Sequence, residues 1–173
     1  FDTTDLVVGL QLTHSGRFSR PHGQQLEPRI AYHHPLLDEK FSIEPNDDSV
    51  VWTDGELDDL IGDYVRVARQ AANAGYTFVD VKACHGYLLH EFLSARVRPG
   101  RYGDSFTGRT QLLRSIIEAI QRDVPELVVM VRLSVFDTPP FVTSRELGRP
   151  MHYEAHLPYA YGFGVKDAEP MEM

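Results

Sequence analysis

The sequence predicts an α/β fold built on a parallel sheet, and three observations carry that prediction. Three short apolar runs, Leu6–Leu12, Phe78–Ala83 and Leu127–Ser134, read as strands covered on both faces. Two longer stretches, about 54–74 and 108–123, repeat apolar residues at helical spacing. Strand and helix alternate along the chain, which implies right-handed crossovers between parallel strands.

The first run ends in Gln11-Leu-Thr-His-Ser-Gly-Arg17, where polar groups gather as the strand leaves the core. From Phe18 to Val51 the chain is rich in Pro, His, Asp and Gln without periodicity. So long an excursion in a compact domain is usually a functional wall or lid. Thr53-Asp-Gly-Glu56 is a capping box, expected to open the first long helix. Leu57, Leu60, Ile61, Tyr64, Val67, Ala68 and Ala71 form its buried face, and Gly75 should stop it in a left-handed conformation.

The second strand leads into Lys82, Cys84, His85 and Tyr87, then a short helix over Tyr87–Ser94. Polar side chains gathered where a buried strand ends are the usual way an α/β protein builds a site. A basic, Gly/Pro-punctuated loop follows at Arg96–Gly103. The second long helix carries Leu112, Leu113, Ile116, Ile117 and Ile120, and Pro125 ends it. Beyond the third strand, Phe136–Met173 predicts neither strand nor helix. Three strands close nothing, and a (β/α)₈ barrel takes roughly 250 residues. The chain is therefore expected to be the middle of a larger fold.

At 173 residues and 42% hydrophobic content, the chain can build a core of about one domain. A net charge of -8 and an isoelectric point of about 5.4 exclude the basic face a nucleic-acid binder needs. No apolar run approaches the ~20 residues that span a bilayer, and Phe1–Gly9 lacks a basic signal region. No membrane partner is expected. Cys84 is the single cysteine, so no intrachain disulfide forms, and a cytoplasmic location is expected.

Read alone, the polar residues keep plain alternatives. Gln11 could bond loop backbone, Arg132 in a buried strand needs an acidic partner, and Lys82 could pair with Asp80. Tyr87 could simply pack at a helix start. Adjacent His33 and His34 point apart on an extended chain, and His152-Tyr-Glu-Ala-His156 displaces its Glu from the zinc-protease pattern. No metal site is expected, and no Gly-rich dinucleotide fingerprint is present.

Four segments in order, Gln11–Arg17, Ala83–Ser94, Tyr102-Gly-Asp-Ser-Phe-Thr-Gly-Arg109 and Val131-Arg-Leu-Ser134, resemble the old yellow enzyme family. These are FMN-dependent (β/α)₈-barrel oxidoreductases, and His85-Gly-Tyr-Leu-Leu with the following Phe-Leu-Ser is the most specific part of the match. The resemblance implies a partial barrel covering roughly the third to fifth strands. It implies one domain over 1–173, with its core at about 6–141 and an irregular tail at 142–173. The later strands, whose loops hold the flavin phosphate in this family, have no counterpart here.

The resemblance further implies an ene-reductase-like activity, passing hydride from NAD(P)H through flavin N5 to an activated C=C of an unsaturated carbonyl acceptor. Gln11 and Arg132 would bind the flavin pyrimidine edge, and Arg132 would stabilise the anionic reduced ring. His85 would bind the acceptor oxygen, and Tyr87 would donate the proton. Lys82 stands where many members carry His, and it would donate to the acceptor oxygen or to an anionic group. His14 would help shape the rim, while Arg17 and Arg109 would tie loops to the barrel. The alternative is a non-catalytic fragment that folds only with the missing segments, another copy or a partner chain.

Overall fold

The structure is a computed structural model that describes residues 4–135, 141–142 and 148–150. In chain order its elements are β1 (Gly9–Leu12), α1 (Pro35–Phe41), α2 (Asp54–Asn73), β2 (Phe78–Ala83), α3 (Leu88–Leu93), α4 (Phe106–Asp123), β3 (Val128–Leu133), β4 (Phe141–Val142) and β5 (Arg149–Pro150). Strands β1, β2 and β3 form a parallel sheet with β2 in the middle, so both crossovers join neighbouring strands. Short β4 and β5 pair antiparallel, where the sequence predicts no strand. Two-residue strands carry no readable alternation.

Alternation along β2 assigns its two faces. Val79, Val81 and Ala83 are fully buried and share one core with Leu57, Leu60 and Ala68 of α2 and with Leu112, Ile116 and Ile120 of α4. Asp80 and Lys82 point the other way.

Both long helices start where side chains satisfy their free amides. Thr53 Oγ1 accepts from the Glu56 amide at 3.2 Å, and Glu56 Oε2 accepts from the Thr53 amide at 2.8 Å. Such a cap stabilises by about 1 kcal/mol. The Thr53 amide, and then Arg29, hold the Glu56 carboxyl down at about 2. Ser105 caps α4 by accepting from the Gly108 amide at 3.1 Å, so the helix begins two residues before the expected Gly108. A Cβ at Gly108 would meet the Gly103 carbonyl oxygen at 2.1 Å, so this start requires glycine. Gly75 closes the end of α2 with φ +86°, as expected.

The long excursion after β1 is built rather than idle. It contains α1, which the sequence did not reveal because seven residues are too few to show a helical period. Pro35 opens α1, and His34 Nδ1 accepts from the Leu36 amide at 3.2 Å. His33 turns elsewhere, to Asp38 Oδ2 at 2.7 Å. Ile30, Leu37, Phe41 and Ile43 form a second, small core. His152 and His156 lie outside the described residues.

Arg17 fastens this excursion to the sheet. It is fully buried, donates from Nε to Glu91 Oε1 at 2.8 Å, and also bonds Asp38 and the Tyr32 carbonyl. Arg109 donates to the Leu93 and Asp104 carbonyls, each at 2.9 Å. Both arginines tie loops, as expected.

The outer strands depart from the sequence reading. β1 begins at Gly9, and Leu6, Val7 and Val8 are exposed. β3 is exposed along most of its length, with Val128 at 61% and Met130 at 51%. An apolar run implies cover on both faces only where something packs on both. Among the described residues, the sheet face opposite the helices is open at β3 and at Gln11 of β1 and is covered at Lys82 of β2. Among the described residues, too, no helix is long and apolar enough to cross a membrane.

Removing the Arg17 guanidinium leaves Asp38 and Glu91 buried without their cation. Arg17→Met is expected to lose about 3–5 kcal/mol of unfolding free energy, measured by urea denaturation. A loss under ~1 kcal/mol would show that the network is replaceable.

Candidate active site

Register brings the polar side chains together. Gln11 lies opposite Asp80 across β1 and β2, and Lys82 lies opposite Arg132 across β2 and β3. All four therefore project from the open face at the carboxyl ends of the strands, where α/β proteins place their sites. Asp80 links the outer two. Its Oδ2 accepts from Gln11 Nε2 at 2.8 Å and pairs with Arg132 at 3.2 Å.

Arg132 was expected in a buried strand, and that expectation fails. Its side chain is 56% exposed and its partner Asp80 is 15% exposed, because the face around β3 is open. An ion pair so exposed contributes ~0–1 kcal/mol, so it orients the guanidinium without consuming it.

Lys82 does not pair with Asp80. Its Nζ lies 3.4 Å from the centroid of the Tyr87 ring, and the residue is only 9% exposed. The ring thus lies against the ammonium and is itself half-buried. Phe18 leans on the other reach of Tyr87, with ring centroids 5.6 Å apart, and packs edge-on to Phe41 at 4.7 Å.

Between Lys82 and Tyr87 the backbone reverses. His85 and Gly86 take φ +61° and +72°, consecutive left-handed residues that leave the His85 side chain exposed. The Tyr87 amide donates to the Cys84 carbonyl at 3.2 Å, and the Leu88 amide donates to the His14 carbonyl at 3.1 Å. His14 therefore shapes the rim through its backbone, and its Nδ1 accepts from the Gly16 amide at 3.1 Å. Burial, and then the charge of Arg29, hold the His14 imidazole below its ordinary pKa. Cys84 is a buried free thiol that burial pushes up in pKa.

A sequence profile of the NADH:flavin oxidoreductase / NADH oxidase family matches residues 3–146. The chain belongs to that family. It is 35% identical over 133 residues to an NADPH dehydrogenase of Listeria welshimeri, covering 75% of this chain and 36% of that protein. It is 32% identical over 139 residues to 12-oxophytodienoate reductase 1 of Oryza sativa subsp. japonica, covering 73% and 34%. The old yellow enzyme homologue of Zymomonas mobilis superposes with a TM-score of 0.58 at 25% identity, covering 73% and 37%. The chain thus spans about a third of the length of these relatives.

In this member of the family, three site-forming residues escaped the sequence reading. Asp80 was weighed only as a partner for Lys82, although its two-residue spacing from Lys82 already placed both on one face. Phe18 sits in an aperiodic loop and gives no sequence signal. His90 lies four residues after Gly86, and its Nδ1 accepts the Gly86 amide at 2.9 Å, closing the turn beneath His85.

Burial, and then the charge of His85, push the His90 imidazole down to about 4, so it stays neutral in the folded protein. The unfolded chain binds this proton as pH falls through about 6.5, whereas the folded chain resists until about 4. The contribution is therefore fully present above about 6.5 and lost as pH falls from there towards 4, by at most ~3 kcal/mol. His90→Asn keeps an acceptor but cannot titrate. Its unfolding free energy should show a shallower pH slope in that window, and an unchanged slope would assign the titration elsewhere.

Proposed function

We propose that this chain carries the ring-edge and acceptor-facing part of an FMN-dependent, NAD(P)H-oxidising reductase of activated alkenes. The carrying observation is the convergence of Gln11, Lys82 and Arg132 on one open sheet face, beside His85 and Tyr87 at the end of β2. We take β1, β2 and β3 as the third to fifth strands of an eight-stranded barrel, within one domain. The names of the two sequence relatives, an NADPH dehydrogenase and an oxophytodienoate reductase, support this reading.

The residues present fit a flavin ring edge. The Gln11 amide offers both a donor and an acceptor, and the half-exposed Arg132 guanidinium offers donors and charge. Asp80 orients both through one oxygen, by contacts weak enough to rearrange around a ligand. Bound FMN would supply the two-electron relay between NAD(P)H and the acceptor.

His85, exposed at the turn, would donate to the acceptor oxygen and draw electron density from the conjugated C=C. Lys82 would assist from the adjacent strand. Tyr87 would deliver its phenolic proton to the acceptor α-carbon, a centre basic enough to take it from a weak acid. The ammonium against one ring face and Phe18 beside it hold the phenol in place.

A second reading is favoured by Leu6, Val7 and Val8 beside β1 and by Val131, Leu133 and Val135 at β3, all exposed. It makes the chain a non-catalytic piece that folds only with a further barrel segment, a second copy or a partner.

Purified protein mixed with FMN should hold the flavin through gel filtration and bleach with NADPH. Tyr87→Phe should bleach at the normal rate but slow enone-dependent reoxidation by about 10–100-fold. Neither flavin retention nor bleaching, from a protein running as an oligomer or aggregate, would favour the second reading.

A further inference from the structure

Charge on the open sheet face does not balance. Among the described strand residues, the face carries one acid, Asp80, against two permanent cations, Lys82 and Arg132. One oxygen of Asp80 takes both Gln11 and Arg132. Lys82 sits directly opposite Arg132 in register, and like charges so placed on neighbouring strands repel. Its ammonium finds no carboxylate among the described residues and rests on the Tyr87 ring at 3.4 Å.

A ring face is a weaker partner for an ammonium than an anion. At 9% exposure, Lys82 also has little water to compensate it. A neutral carbonyl oxygen would accept one hydrogen bond and leave the excess charge in place. A carboxylate would accept the bond and cancel the charge.

We propose that the acceptor-facing rim selects ligands bearing a carboxylate, with Lys82 as the residue that determines this specificity. The inference rests on the reading of this face as the acceptor side. The Tyr87 ring holds the ammonium until the ligand arrives, and with FMN bound the Arg132 guanidinium would face the flavin edge and so would not compete for the same anion. The preference is therefore assigned to one side chain rather than to the general field of the face.

Benzoate and benzamide, matched in shape and differing in charge, test this in the FMN-loaded protein. Binding is read by perturbation of the flavin spectrum and by titration calorimetry. Benzoate should bind at least about tenfold more tightly than benzamide. Lys82→Met should erase the difference by weakening benzoate alone, and Lys82→Arg should keep it. Equal affinities in the unsubstituted protein, or a preference that survives Lys82→Met, would overturn the assignment. A protein that takes up and bleaches FMN yet binds both probes equally refutes this inference alone. A protein that takes up no FMN refutes the function beneath it.

Discussion

A guanidinium without solvent must be matched, and Arg17 is matched by groups from three separate stretches of chain. Asp38 comes from α1, Glu91 from α3, and the Tyr32 carbonyl from the loop that leads into α1. Burial opposes the charge on Arg17, but the two carboxylates outweigh it and raise its pKa. The Glu91 pKa is raised as well, because burial outweighs the pull of Arg17 on its carboxyl. No member can leave without stranding another in low dielectric. The loop after β1 and the helix that follows the rim are thus held as one body, and the position of Tyr87 depends on it. Arg98 repeats the device, donating to the Ala31 carbonyl at 2.9 Å and to Asp54 at 2.7 Å.

The sheet divides its work by face. One side buries Val79, Val81 and Ala83 against α2 and α4 and supplies cohesion. The opposite side is left to weak, exposed polar contacts, and Asp80 sits at their centre. Buried pairs hold shape because they are costly to break, whereas exposed pairs can exchange partners cheaply. Among the described residues, the buried pairs tie the loops to α1, α2 and α3, and the weak Asp80–Arg132 pair lies on the open sheet face.

Much of this arrangement was legible in the sequence where a period or a cap was long enough to read. The Thr53–Glu56 box, the stripes of α2 and α4, the three strands and the Gly75 stop are local patterns, and each is present, although β1 starts only at Gly9. What failed was cover. Val128, Met130 and Arg132 look buried in a one-dimensional reading because apolar density cannot say whether a second layer is present. Helix α1 and the His90 contact were missed because a single turn and one acceptor leave no periodic trace. The grouping of Gln11, Lys82 and Arg132 was legible only through resemblance, since strand register does not follow from the runs themselves. The resemblance named the residues, and the register placed them on one face.

The turn at His85 and Gly86 shows why the rim keeps its form without packing. A non-glycine residue in the left-handed region costs roughly 1 kcal/mol, and His85 adopts it in a loop that could have used glycine twice. Its side chain is exposed, so burial does not repay the strain. The backbone repays it instead. The Gly86 amide is taken by His90, the Tyr87 amide by the Cys84 carbonyl, and the Leu88 amide by the His14 carbonyl. Three successive amides thus acquire fixed acceptors, one of them the His90 ring of buried α3. A side chain aimed in this way has its direction set by the main chain while its ring nitrogens stay accessible to solvent. That combination suits a hydrogen-bond donor awaiting a ligand, whereas a structural histidine such as His34 or His90 is found inside, accepting from backbone.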